Sequence, residues 1–236
     1  MHTLSYRQRR GQIQTYFDRT ASEAWSRLTS DAPVSRIRAT VRAGRDQMRK
    51  VLFDSMPADL TGARILDAGC GTGALAIEAA KRGASVVAID IAPTLVELAR
   101  ERAASGLLDT GKGSVEFLVG DMLDPALGRF DHVVAMDSLI HYPTPDMVAM
   151  VASLAANTSS SVHFTFAPRT MALTAMWTVG RLFPKSDRAP AIEPVDTDAL
   201  RRALVKEPAL AGWTPGKSTR IVSGFYMSEA MELTRA

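Results

Sequence analysis

Cysteine is almost missing from this chain: Cys70 is the single one, which excludes an internal disulfide, and no group of Cys and His has zinc-site spacing. Stability must therefore come from packing. Long apolar runs are absent too. No stretch approaches the roughly 18 residues of a membrane span, and no apolar run follows Arg7, Arg9 and Arg10 as a secretory signal would need. The expected location is the cytoplasm. Nor is there a large excess of one charge: the net +3 on 236 residues is too small to mark a nucleic-acid partner, and no aromatic pattern or binding module accompanies it.

What is present describes an ordinary globular protein, 46% hydrophobic and 22% charged, long enough for one full-sized core with attachments. The charge is uneven. From Arg7 to Lys50 the basic residues outnumber the acids Asp18, Glu23, Asp31 and Asp46, which reads either as a solvated helix face or as a surface for an anionic substrate or a peripheral membrane contact. Ile13, Tyr16, Phe17, Ala21, Trp25 and Leu28 form an amphipathic stripe over about 11–28, and Val34, Ile37, Val41, Met48 and Leu52 form a second. Residues 1–60 are thus expected to be an N-terminal helical cap. From residue 63 short apolar runs at 63–68, 85–90, 115–119, 130–136 and 161–166 alternate with helical segments near 74–82, 93–105 and 145–156, the pattern of an α/β parallel sheet. An apolar insertion at about 168–192, with Met171, Met176, Trp177 and Phe183, precedes a helix capped by Asp196 or Thr197 and two closely spaced strands near 217–223 and 225–234.

The strongest motif is Ile65-Leu66-Asp67-Ala68-Gly69-Cys70-Gly71-Thr72-Gly73, a buried strand entering a glycine-rich turn and a helix. Gly69 and Gly71 let a ligand approach the backbone. The order D-x-G-x-G-x-G differs from the dinucleotide fingerprint, and Asp67 inside the turn suits a ligand carrying an ammonium group better than a pyrophosphate. A second strand ends at Asp90-Ile91, where a carboxylate takes ribose hydroxyls, and a third at Gly120-Asp121-Met122, where an acid accepts from an adenine amino group and a methionine packs on the ring.

These motifs resemble the class I S-adenosylmethionine methyltransferases. That resemblance implies a Rossmann-like seven-stranded sheet in the order 3-2-1-4-5-7-6 with its last strand antiparallel, S-adenosylmethionine as methyl donor leaving as S-adenosylhomocysteine, and Asp137 facing the methionine moiety. Further segments narrow it. Tyr16-Phe17-Asp18-Arg19-Thr20, Trp25-Ser26-Arg27-Leu28, the run Ile37 to Arg45, and Asp137-Ser138-Leu139-Ile140-His141-Tyr142 resemble the magnesium-protoporphyrin IX O-methyltransferases of chlorophyll and bacteriochlorophyll synthesis, over nearly the whole chain. The resemblance implies methylation of one propionate of magnesium-protoporphyrin IX and a contact with the porphyrin-binding subunit of magnesium chelatase. Where that family's pattern carries a tyrosine after the first helix, this chain has Thr29.

A propionate is already ionised at neutral pH, with a pKa of about 4 to 5 by analogy with Glu, so positioning and desolvation are the expected duties of the site. His141 is the first catalytic candidate, orienting the carboxylate or ligating the magnesium; the alternative is a hydrogen-bonded structural histidine. Tyr16 is the second, closing over the cofactor or donating to the carboxylate, against a place in the core. Arg42 is the candidate for the cofactor's carboxylate. No metal site of the protein's own is expected. The rivals are a methyltransferase acting on a quinone or other small molecule and a non-catalytic cofactor-binding module; the glycine order disfavours a nicotinamide dehydrogenase.

Overall fold

Successive side chains of a strand point to opposite faces, and the central strands put apolar groups on both: Leu66, Val87 and Val133 belong to one buried cluster, Ile65, Val86 and Val134 to another. Such strands have to be covered on both sides. The computed structural model, which describes residues 4–18, 36–107, 112–169 and 191–235, shows how. One sheet contains β1 (Arg64–Ala68), β2 (Ser85–Asp90), β3 (Ser114–Val119), β4 (Phe130–Ala135), β5 (Thr158–Phe166), β6 (Trp213–Ser223) and β7 (Tyr226–Arg235). The order is β3-β2-β1-β4-β5-β7-β6. The first five strands pair in parallel, and β7 runs antiparallel between β5 and β6.

The helices are α1 (Leu4–Tyr16), α2 (Arg36–Asp54), α3 (Ala74–Lys81), α4 (Pro93–Arg102), α5 (Thr144–Ala156) and α6 (Thr197–Lys206). Met147, Val151 and Leu154 of α5 and Leu200 and Leu204 of α6 cover one face, joined by Tyr6 and Ile13 of α1. The other face is covered by Met48, Leu52 and Phe53 of α2, Leu75, Ala76, Ala79 and Ala80 of α3, and Val96 and Ala99 of α4. α1 and α2 therefore share the apolar clusters of the sheet. No helix among the described residues is long and apolar enough to cross a membrane.

The architecture is the expected one, with shifted boundaries. β5 starts at Thr158 rather than 161 because Thr158, Ser159 and Ser160 hide its first turn from any apolar pattern, although Phe130 pairs with Thr158 across an irregularity in β4. α1 begins at Leu4, earlier than the stripe from 11 indicated. Trp25, Thr29 and the insertion residues Met171, Met176, Trp177 and Phe183 lie outside the described residues.

Candidate active site

The strand order reverses between β1 and β4, so the loops leaving their C-terminal ends diverge and open a crevice, the usual ligand position in an open α/β sheet. Here that crevice is a cleft of about 650 Å³ lined by Gly69, Cys70 and Gly71 after β1, Asp90 and Ile91 after β2, Gly120 and Met122 after β3, and Asp137, Ser138, His141 and Tyr142 after β4. Arg45 of α2 enters from one side. Ile13 and Phe17 close it from another.

The turn after β1 is bound to β2: Gly69 N and Cys70 N both donate to the Ile89 carbonyl, at 2.9 and 3.0 Å. Gly69 has φ +88°, and an added Cβ would stand 2.4 Å from the Ser138 Cβ. Only glycine lets this turn pass Ser138, whose hydroxyl donates to the Ala68 carbonyl at 2.7 Å. Asp90 is fixed by two amides, Gly71 N to Oδ2 at 2.8 Å and Ala92 N to Oδ1 at 2.9 Å. A carboxylate has about four acceptor sites, so capacity remains for two hydroxyls. Burial raises the Asp90 pKa, and the amides oppose that.

Asp137 is the most heavily bonded acid of the cleft. It is the one non-glycine among the described residues with positive φ, +56°, a conformation Asp tolerates better than most residues. Its amide donates to Thr165 Oγ1 at 2.7 Å, and that hydroxyl donates back to Oδ1 at 3.1 Å. Tyr226 and Ser228 of β7 donate to the same carboxylate at 3.1 and 3.2 Å. Arg45 Nη1 pairs with Oδ2 at 2.5 Å, both side chains largely buried. The cleft thus presents a guanidinium and a carboxylate side by side.

The structure brings Gly69, Gly71, Asp90, Ile91, Met122, Asp137 and His141 together on the cleft wall. Four expected residues sit elsewhere. Asp67 lies beneath the floor, 1% exposed, with Oδ2 unpartnered and its pKa pushed up to about 7 by burial and by Asp90. Asp121 stands at the rim, its carboxylate accepting from Tyr6 and Arg10 of α1. Tyr16 is half-buried and outside the lining, meeting the lining residue Phe17 edge-on with ring centroids 5.3 Å apart. Arg42 does not reach the lining; Arg45, about 4.5 Å further along the helix axis, does. His141 is 7% exposed, and its Nδ1 donates to the Ala191 carbonyl at 3.2 Å. Because a carbonyl only accepts, Nδ1 is the protonated nitrogen of the neutral ring and Nε2 its acceptor.

Sequence reasoning missed Arg45, Tyr226, Ser228, Tyr6 and Arg10. Arg45 ends the Ile37 to Arg45 run and had a signal; the others make long-range polar contacts that leave no local pattern. The cleft fits S-adenosylmethionine by its donor set: the Arg45–Asp137 pair matches an amino-acid end, and Asp90 has acceptor capacity for a ribose. Among the described residues no group of three His, Cys, Asp or Glu could hold a metal ion.

Comparison with known proteins gives a consistent picture. The family described as magnesium-protoporphyrin IX methyltransferase C-terminus matches residues 135–235, and a general methyltransferase domain matches 65–160. The magnesium-protoporphyrin O-methyltransferase of Rhodobacter capsulatus is 49% identical over 228 residues, 96% of this chain and 97% of that protein. The chloroplastic magnesium protoporphyrin IX methyltransferase of Arabidopsis thaliana is 32% identical over 93% of this chain and 69% of its own length. Among solved structures, magnesium protoporphyrin IX methyltransferase from Synechocystis PCC 6803 with bound SAH superposes with a TM-score of 0.79 at 28% identity, covering 96% of this chain and 99% of that one.

Proposed function

Because the chain belongs to the magnesium-protoporphyrin O-methyltransferase family, we propose that it transfers a methyl group from S-adenosylmethionine to a propionate carboxylate of magnesium-protoporphyrin IX, in the synthesis of chlorophyll or bacteriochlorophyll. The observation that carries this is the cleft in which Asp90, the Arg45–Asp137 pair and His141 converge at the strand ends. The cofactor supplies a methyl group on a sulfonium, already electrophilic. Arg45 takes a carboxylate and Asp137, giving up part of its pairing with Arg45, an ammonium; Asp90 takes the ribose hydroxyls, and Asp121 accepts from the adenine amino group beside Met122. The acceptor carboxylate is ionised without help, so the protein orients it and strips part of its water.

His141 has two possible roles in that task. With Nδ1 committed to Ala191, donation to a propionate from Nε2 needs the charged ring, whereas ligation of the porphyrin magnesium through Nε2 needs the neutral one. His141→Gln should lower turnover about 100-fold with cofactor affinity unchanged. An unaltered rate at saturating porphyrin would make His141 structural.

The basic stretch from Arg7 to Lys50 gives an acidic porphyrin a favourable approach and suits a peripheral contact with an anionic inner-membrane surface, from the cytoplasmic side. The same basic stretch is our candidate for a contact with magnesium chelatase. Mass spectrometry of the purified protein with S-adenosylmethionine and magnesium-protoporphyrin IX tests the reaction, with metal-free protoporphyrin and a quinone precursor in parallel. A product heavier by one methylene from the magnesium porphyrin alone is expected. Methylation of the quinone instead would replace the substrate, and cofactor binding without any product would leave a non-catalytic module.

A further inference from the structure

Asp121 stands just outside the cleft lining. Its two flanking residues, Gly120 and Met122, line the cleft, while its carboxylate is gripped from the outer side by α1. Tyr6 Oη donates to Oδ1 at 2.6 Å and Arg10 Nη1 to Oδ2 at 2.6 Å. The Leu123 amide adds a third bond to Oδ1 at 3.0 Å. Three of about four acceptor sites are therefore used, and the orientation of the last is set by the other three.

The grip itself is held. The Tyr6 ring, 3% exposed, stacks on Tyr142 with centroids 5.5 Å apart and planes 23° from parallel, and Tyr142 lines the cleft next to His141. Burial and the Asp121 carboxylate push the Tyr6 pKa upward, so its hydroxyl stays a donor at any working pH. Ser5 donates to Asp146 at 2.7 Å and Arg9 pairs with Glu193 at 3.1 Å, fixing α1 to α5 and to the segment before α6. Further along the chain, Ile13 and Phe17 form cleft wall.

We propose that Tyr6 and Arg10 are positioning residues for base recognition: from the N-terminal helix they aim the Asp121 carboxylate at the 6-amino group of the adenine. This rests on the reading of Asp121 given above. Its chemical consequence is selectivity between an amino and an oxo group at that position, because a fixed carboxylate accepts from the first and opposes the lone pairs of the second.

Calorimetric titration of the full chain with S-adenosylhomocysteine and S-inosylhomocysteine, which carries oxygen in place of the amino group, reads this directly. The wild type is expected to prefer the adenosyl compound. Tyr6→Phe keeps the ring stacking and removes only the hydroxyl, and Arg10→Gln changes a half-exposed side chain. Either should cut the preference about tenfold, the worth of one hydrogen bond to a charged group, with affinity for S-inosylhomocysteine nearly unchanged. Equal weakening toward both ligands, or no change in either variant, would overturn the proposal by making α1 a structural brace. Asp121→Asn separates the levels. If it abolishes the preference while Tyr6→Phe and Arg10→Gln do not, only the positioning role fails; if it keeps the wild-type preference, the adenine assignment fails with it.

Discussion

Two buried titratable side chains push the pH dependence of stability in opposite directions. Asp67, below the cleft floor, has its pKa raised from 3.8 to about 7, chiefly by burial and secondly by Asp90. Holding more protons when folded, it contributes stability that is lost as pH rises from about 4 through 7. His163 of β5 is lowered from 6.5 to about 4, by burial first and His132 second. Its neighbours dictate the neutral form. Ser55 Oγ donates to the Leu52 carbonyl, so it accepts from His163 Nδ1, and the Ser161 hydroxyl is left to donate to Nε2 at 2.7 Å. This contribution is complete above pH 6.5 and lost as pH falls toward 4. Each shift corresponds to roughly 3 to 4 kcal/mol, so the pair nearly cancels between pH 4.5 and 6.5. Scanning calorimetry across that range should find Tm rising with pH in Asp67→Asn and falling with pH in His163→Gln, with parallel profiles contradicting both assignments. The sequence showed Asp67 as an acid in a glycine-rich turn; that its side chain is sealed under the floor depends on packing of α3 that no local pattern records.

Among the elements, α1 and β7 each place two groups around the cleft that sequence patterns did not reveal. The inward face of α1 is half polar: Tyr6 and Ile13 are buried, and between them Arg9 and Arg10 reach Glu193 and Asp121. A search for apolar periodicity therefore began the helix too late. β1 and β2 were legible because both of their faces are apolar and β4 by its Val133-Val134-Ala135 run, and the acids at the strand ends announced Asp90, Asp121 and Asp137. α2 meets β7 where Gly44 lies flat against Tyr226; an added Cβ would be 2.4 Å from Cδ1 of that ring. Gly44→Ala gains about 1 kcal/mol of helix propensity but must displace the ring, an overpacking cost of about 1–3 kcal/mol, and the Tyr226 hydroxyl then leaves Asp137. A lower Tm and weaker cofactor binding together are expected in thermal and calorimetric titrations. A rise in Tm would mean that the ring yields freely.

At the scale of the whole molecule, the groups proposed to serve the cofactor lie at the ends of four strands and on two helices, so ligand binding and folding are linked. S-adenosylhomocysteine at about 100 times its Kd adds roughly 2.7 kcal/mol to the folded state, or roughly 5–10 °C in Tm for a chain of this size. Asp90→Ala should lose most of that shift at the same ligand concentration, from a ligand-free Tm already lowered by loss of the bonds to the Gly71 and Ala92 amides. An unchanged shift would remove Asp90 from the ribose site. The sheet order and the antiparallel pair at its end were readable from strand spacing and family resemblance, whereas the donors converging on Asp137 from α2, β5 and β7 exist only once distant segments meet.

Cys70 lines the same cleft and is the chain's single thiol. Partly exposed there, it is slow to ionise, because burial holds its pKa well above the usual value. The rate at which the intact protein takes up one label therefore reports access to the cleft, with no competing thiol to subtract, and a bound ligand slows that uptake in proportion to its occupancy.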